Sequence, residues 1–322
     1  MGNYFNRKDL IYTVYREGSI SKAAQKLFVS QPSLSIMIRK IEEEVGVPLF
    51  DRTSKPLRLT QAGEEYIKAT EAISHIEREF ENYINAYNQV VTGALTIGAN
   101  QLLSSQVLPD YVARFIHRYP GIDLHMVDDN PTVLENMISS GQLDLVIDNK
   151  QLDATVFEQR LFRVERLLLA VPEGFACNKG LEAYQLREQD ILSGAYLAPE
   201  VKPVPLKRFE GIPFISMTKD NDTRRRTDAM FHEAGVNPEI ILEIDRLVTL
   251  YNFVENGTAA SVVSDTLVRN LRYPSGRVVF YALCPPHAQR DIYVSYKRGR
   301  YYSKAMNAFM ELLFDTAGEK AT

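Results

Sequence analysis

The residues best suited to chemistry sit in a short stretch near the amino end. Ser30-Gln31-Pro32-Ser33, followed by Ser35, reads as a helix opening set with hydrogen-bonding side chains, and Arg39, Arg52, Lys55 and Arg58 come soon after it. Glutamine can pair in bidentate fashion with adenine, serine can meet a base edge or a phosphate, and an apolar ring such as proline can touch a thymine methyl. The four cations suit phosphate oxygens or the minor groove. Covalent chemistry has no comparable support. There is no Gly-x-Ser-x-Gly and no Gly-x-x-x-x-Gly-Lys-(Ser/Thr), and the histidines at 75, 117, 125, 232 and 287 lack metal-ligand spacing. Cys177 and Cys284 are far apart and form neither a Cys-x-x-Cys nor a disulfide framework. No catalytic residue, metal or cofactor is expected.

Charge separates along the chain. The net charge of −4 speaks against a nucleic-acid partner, yet through Thr60 there are ten Lys or Arg and six Asp or Glu, so the head is basic and the remainder acidic. Any attraction for phosphate is confined to the head. The 322 residues suit two or three domains, and 45% apolar with 24% charged residues is ordinary globular composition. With no long apolar run and no apolar stretch of signal type at the amino end, a cytoplasmic protein without a membrane span is expected.

The elements that must position these groups follow from periodicity. Residues 6–17 and 20–28 read as helices with Gly18 between them, and a third helix, capped by Ser30, runs to about Val45 and stops at Gly46. Residues 50–60 read as two short strands around a proline-containing turn. From Gln61 to about Val91, Tyr66, Ala69, Ile73, Ile76, Phe80, Tyr83, Tyr87 and Val90 recur at alternating steps of three and four. That seam marks a long helix packed lengthwise on another, and a partner chain is its simplest cover. Beyond Ala94, short apolar runs alternate with amphipathic helices, which predicts an α/β body with parallel sheets in two lobes. Expected strands include Leu167–Val171 and Ala195–Leu197. Expected helices include Ser105–Arg118, Thr223–Ala234 and Arg246–Glu255.

Residues 19–63 resemble the amino-terminal signature of LysR-type transcriptional regulators. The resemblance is carried by Ser19, Ala23, Ala24, Leu27, Ser30, Gln31, Pro32, Ser35, Ile38, Glu42, Gly46, Leu49, Phe50, Arg52, Leu59, Thr60, Ala62 and Gly63. It continues more weakly into the long helix and into the segment around Leu95–Met126. It implies an N-terminal all-α winged helix-turn-helix domain (1–60), a linker and dimerisation helix (61–92) and an effector-binding body (93–322). The body is expected to be two Rossmann-like lobes of periplasmic-binding-protein type II character, lobe I about 93–165 and 269–322 and lobe II about 166–268. Lys55 stands where the family has a second wing arginine, Ile36 where many relatives carry arginine, and Ser264 where a proline is usual.

On that resemblance Gln31, Pro32, Ser33, Ser35, Arg39, Arg52, Lys55 and Arg58 are expected to contact double-stranded DNA. A small-molecule effector is expected in a cleft at the carboxyl ends of the strands, near helix N-termini. The candidate contacts are Asn100, Gln101, Ser104, Asn130, Thr132, Thr223 and Arg224. The arginine run 224–226 favours a carboxylate. A homodimer or homotetramer is implied. A bilobal carrier or enzyme, and an architectural DNA-binding protein without effector, are the competing readings.

Overall fold

The structure is a computed structural model describing residues 4–54, 56–87, 93–271 and 275–319. Three helices, α1 (Lys8–Glu17), α2 (Ile20–Lys26) and α3 (Gln31–Val45), form the head. Their ends have local causes. Gly18 and Gly46 take the left-handed conformation, at φ 58° and 88°, that stops α1 and α3. Ser19 and Ser30 accept the amides of Lys22 and Ser33 and so begin α2 and α3. Leu34, Ile38 and Ile41 line one face of α3 and are buried with Ile11, Val14, Ala23 and Ala24 in the head core.

The wing is β1 (Phe50–Asp51) paired antiparallel with β2 (Arg58–Leu59). The Thr60 hydroxyl accepts the Gly63 amide at 3.0 Å and starts α4 (Gln61–Tyr87). Tyr66 and Ile67 of α4 belong to the head core, whereas Ile76, Phe80, Tyr83 and Ile84 are exposed. The expected seam is therefore uncovered at Ile76, Phe80 and Tyr83, and the Tyr87 side chain and Val90 lie outside the described residues. Gly63 marks a close approach. A Cβ there would lie 2.0 Å from the Leu49 carbonyl oxygen, so backbone of the helix rests directly on backbone of the wing.

The body continues with β3 (Gly93–Ala99), α5 (Gln101–Gln106), α6 (Leu108–Arg118), β4 (Ile122–Asp128), α7 (Pro131–Ser139), β5 (Leu145–Asp148) and β6 (Phe157–Pro172). Then follow β7 (Gln185–Leu186), α8 (Glu188–Ser193), β8 (Pro213–Met217), α9 (Asp222–Glu233), β9 (Glu239–Ile244), α10 (Leu247–Glu255), β10 (Ser261–Ser264) and α11 (Asp265–Arg269). The described chain ends with β11 (Val278–Ala282), β12 (Gln289–Lys297) and α12 (Lys304–Glu319). One sheet has the order β4-β3-β5-β12-β6-β11-β7, with β10 also paired to β6, and β8-β9 form a separate parallel pair. In the first lobe Leu95, Ile97, Phe115 and Phe309 pack on one face of the sheet and Leu134, Ile138, Leu143 and Val146 on the other. In the second, the faces of β6 and β11 separate two further clusters, around Tyr251 with Phe280 and around Phe209 with Tyr281.

Several expectations change. The sheets are mixed, because β12, β10 and β11 all run antiparallel to β6. The strand expected at Leu167–Val171 is the end of a 16-residue strand that pairs with β12 through Arg166 and with β10 and β11 beyond it. Ala195–Leu197 is a 3₁₀ turn following left-handed Gly194, and Ser105–Arg118 divides into α5 and α6 at Val107. Residues 278–283, expected in lobe I, pack in the second-lobe clusters. No described helix is long and apolar enough to cross a membrane. Because a methyl at position 63 must displace wing backbone, Gly63→Ala is expected to destabilise the chain by about 1–3 kcal/mol. Denaturant unfolding measures this, and a loss below about 0.5 kcal/mol would mean that the Leu49 carbonyl yields freely.

Candidate nucleic-acid interface and interlobe cleft

With its apolar face buried, α3 turns a polar face outward. Gln31, Pro32 and Arg39 are exposed, and Ser33 and Ser35 are half-buried. Gln31 Nε2 donates to Ser35 Oγ at 3.0 Å, one turn apart, so the two side chains orient each other before any ligand arrives. Ile36, more than half exposed, sits beside this row. The wing is locked to α3 by Glu42. Its Oε1 accepts the amides of Leu49 (2.8 Å) and Phe50 (3.2 Å), and its Oε2 accepts Arg52 Nη2 (2.7 Å). Arg52 is thus partly committed to holding the wing, with its side chain still 39% exposed. In the wing turn, the hydroxyls of Ser54 and Thr53 and the Thr53 amide hold the Asp51 carboxyl down at about 2. Arg58 and Arg39 are exposed, with no carboxylate partner among the described residues. Lys55 lies outside the described residues.

Between the lobes are two connected cavities of about 490 and 990 Å³, both lined by Asn130, Asn149, Asp222 and Arg290. Asn149, Asp222 and Arg290 belong to one bridge. Arg290 Nε donates to Glu165 Oε2 (2.5 Å), while its Nη1 donates to Asp222 Oδ2 (3.0 Å) and Thr223 Oγ1 (3.1 Å). Asn149 Nδ2 of the first lobe donates to the same Asp222 carboxylate at 2.9 Å. Ser264 Oγ donates to the other Glu165 oxygen at 2.5 Å. Burial opposes the charge on Glu165, but Arg290 and the hydroxyls of Ser264 and Thr266 outweigh it and hold the carboxyl below its ordinary range.

The sequence-expected cleft residues divide. Asn100 and Asn130 cap α5 and α7, accepting the Leu103 amide and the Thr132 and Val133 amides, and both line the cleft with Gln101 and Thr223. Thr132 lines the larger cavity. Ser104 is buried and its hydroxyl turns back to the Gln101 carbonyl, so it is not in the cleft wall. Arg224 is also withdrawn. Its guanidinium is held by Asp228, Glu243 and the Met217 carbonyl at 2.8–3.1 Å, because it follows Asp222 by a turn of about 200° and points at β9. Of the arginine run, Arg225 and Arg226 reach the cleft, both ion-paired to Asp222. Sequence reading missed Asn149, Asp222, Glu165 and Arg290. Among these only Asp222 carried a signal, as the first residue of a helix at a strand end.

Residues 6–64 match the family model "Bacterial regulatory helix-turn-helix protein, lysR family", and residues 88–318 match "LysR substrate binding domain". The chain belongs to the LysR family of transcriptional regulators. It is similar to the uncharacterized HTH-type transcriptional regulator YcgK of Bacillus subtilis (strain 168), 27% identical over 93% of this chain and 90% of that protein. It is equally identical, at 27%, to the RuBisCO operon transcriptional regulator of Allochromatium vinosum over 94% of this chain and 93% of that one. The fold matches the crystal structure of CbnR, a LysR family transcriptional regulator, with a TM-score of 0.65 and 17% identity, covering 97% of this chain and 99% of that chain. CbnR has also been solved in complex with its target DNA, and full-length OxyR from Pseudomonas aeruginosa matches with a TM-score of 0.63 at 18% identity over 96% of each chain. These relatives are regulators, and this regulator likewise pairs a DNA-binding head with an effector-binding body.

The bridge makes a pH-dependent prediction. Arg290→Met leaves Glu165 buried without its cation and is expected to destabilise the regulator by about 3–5 kcal/mol at neutral pH. In the native chain the stability contributed by Glu165 is present above its unfolded value of 4.5 and is lost as pH falls through the lower folded value. In the variant, burial alone favours the protonated form. The difference between the two proteins therefore shrinks on acidification, which denaturant midpoints at about pH 7 and pH 4 would reveal; a gap that widens at low pH would contradict this account.

Proposed function

We propose that α3 is the base-reading helix of a sequence-specific regulator, with Gln31, Pro32, Ser33 and Ser35 at base edges or phosphate. Arg39, Arg52, Lys55 and Arg58 contact the backbone or minor groove. The observation that carries this reading is the outward row Gln31–Ser35–Arg39 on a helix whose opposite face is fully buried. A helix of this width enters the major groove with its N-terminal side chains toward the bases. Ile36, beside that row, suits a thymine methyl better than a phosphate.

One head makes few contacts, so specific binding calls for two. The exposed apolar half of α4 supplies the pairing surface for a homodimer, which can pair again to a tetramer. We divide the chain into head (1–60), linker helix (61–92) and body (93–322), acting in the cytoplasm where its DNA is. A small polar effector between the lobes favours one lobe arrangement and thereby changes the spacing of the heads.

Selection from random duplexes followed by fluorescence anisotropy tests the head. Gln31→Ala is expected to relax preference at one base pair by about 1–3 kcal/mol. Arg39→Ala or Arg58→Ala weakens all sequences alike and lowers the salt slope by about one. If no sequence is enriched, the reading fails. Pairing is tested separately: Ile76→Glu with Phe80→Glu is expected to yield monomers in sedimentation experiments and to lose affinity at least ~10-fold for a two-half-site duplex. A dimer that survives both changes would place the interface elsewhere.

A further inference from the structure

The three helices of the head all end in a left-handed residue, but only two of them use glycine for it. Gly18 closes α1 at φ 58° and Gly46 closes α3 at φ 88°. Phe28 closes α2 at φ 55°, and it is the one residue other than glycine with a positive φ among the described residues. Its amide donates to the Gln25 carbonyl at 3.2 Å, and the Val29 amide donates to the Ala24 carbonyl at 3.0 Å. Those two bonds make the helix ending that places a left-handed residue just past the cap, ordinarily glycine or asparagine. A bulky side chain in that conformation crowds its own backbone and costs stability.

The ring receives nothing from the head in return. Phe28 is 96% exposed, against 64% for Phe80, the next most exposed large apolar side chain among the described residues. Its chain neighbours Leu27 and Val29 pack on the head core, and Ser30 caps α3 two residues on. The backbone is therefore fixed from both sides while the ring is held clear of the protein. Strain imposed at a side chain that packs on nothing inside the fold points to a use outside it.

Duplex DNA is the partner that this position selects. Gln31 follows three residues on, so the two Cα atoms are no more than ~11 Å apart, about the width of the major groove. A helix seated in that groove with Gln31 at the bases brings Phe28 to the rim, where the apolar surfaces are deoxyribose faces and thymine methyls. The nearest cation in sequence, Lys26, is paired with Glu17 at 2.7 Å, so the turn between α2 and α3 offers the duplex an apolar contact rather than a charge. We propose that Phe28 is a DNA-contacting residue, its ring packed on a deoxyribose or a thymine methyl at the rim of the groove. The inference rests on the reading of α3 as the base-reading helix, and it adds a contact from outside that helix.

Full-length Phe28→Asn, Phe28→Gly and Phe28→Tyr are compared with the unaltered chain on the selected duplex. Asparagine and glycine adopt the left-handed conformation readily, so stability and binding are expected to part. Phe28→Asn matches or exceeds the unaltered chain in denaturant midpoint. It and Phe28→Gly bind the duplex at least ~10-fold more weakly, with the salt slope unchanged, because an apolar contact displaces no counterion. Phe28→Tyr keeps the ring and stays within about 3-fold of the unaltered chain. A duplex with uracil in place of thymine separates the two sources: the unaltered chain loses affinity on it where the methyl is the contact, and keeps it where deoxyribose is. Unchanged affinity in the Asn and Gly variants, a lower salt slope, or a midpoint that falls in Phe28→Asn overturns the proposal. Dissociation of the dimer in sedimentation overturns it too, by giving the ring to a protein–protein contact. Gln31→Ala is carried in parallel. If its base preference relaxes while the Phe28 variants bind normally, only this inference falls; if no duplex is selected at all, the reading of α3 falls with it.

Discussion

The buried pairing of Arg290 with Glu165 and Asp222 is the constraint on which the arrangement of the body depends. Glu165 lies near the middle of β6, where that strand leaves its partner β12 and joins β10 and β11. Arg290 is on β12, in the other crossing segment, and Asp222 opens α9 in the second lobe. One guanidinium therefore ties both crossings to a helix N-terminus. Two carboxylates this close, one wholly buried, could not both remain ionised without it. Such a pairing adds little net stability over an apolar core, but it admits few alternative geometries, and that is what a cleft between two lobes needs. The hydrogen bond from Asn149 extends the same cluster into the first lobe, so any change in lobe angle must rearrange it.

The head solves a similar problem with backbone and one carboxylate. A two-strand wing cannot be stable alone. Here Glu42 of α3 accepts two wing amides, Thr60 reaches the Pro48 carbonyl, and Gly63 lets α4 lie against Leu49. Helix α3, the wing and α4 thus share one small contact region. This accounts for Glu42, Thr60 and Gly63 recurring together in the family pattern: each serves the same junction. Gln31, Pro32 and Arg39 on the outward face of α3 stay exposed, because the head is held together by the opposite face and by Glu42.

How much of this was legible in the sequence depended on the range of the interaction. Ser30, Thr60, Gly18 and Gly46 act within one turn of their own position, and the helix boundaries they imply are the observed ones. The burial of Leu34, Ile38 and Ile41 follows from spacing alone. The length of β6 did not, because the stretch before Leu167 carries Arg160, Arg163, Glu165 and Arg166 and has no apolar run to mark it. Arg290 and Glu165 are 125 residues apart, and neither sits in a motif. Arg224 misled for a related reason: a helix start next to a strand end is a plausible anion site, but which arginine faces the cleft is set by Asp228 and Glu243 beside it. Ser264 is instructive in the opposite direction. Where the family pattern has proline, this chain places a hydroxyl that both caps α11 and donates to Glu165, so the departure from the pattern lies in the ionic cluster itself.

These two centres are physically connected through α4. Gln142 Nε2 donates to Glu71 at 2.6 Å, the His75 ring packs against Gly141, and Arg300 joins His75 to Asp144, whose carboxylate also accepts the Thr96 amide. Tyr301 meets Tyr83 edge-on further along the helix. Helix α4 is thereby seated on the first lobe by contacts from the segment before β5 and from the segment after β12. Between these contacts Lys8 is bonded to Glu77, tying α1 to the same stretch of the helix. Head, α4 and first lobe are then joined by side chains as well as by the chain itself, and the cleft bridge is the interface at which the second lobe can turn against them. A ligand that changes this bridge has a continuous mechanical path to the orientation of α3, provided it binds one lobe angle better than the other.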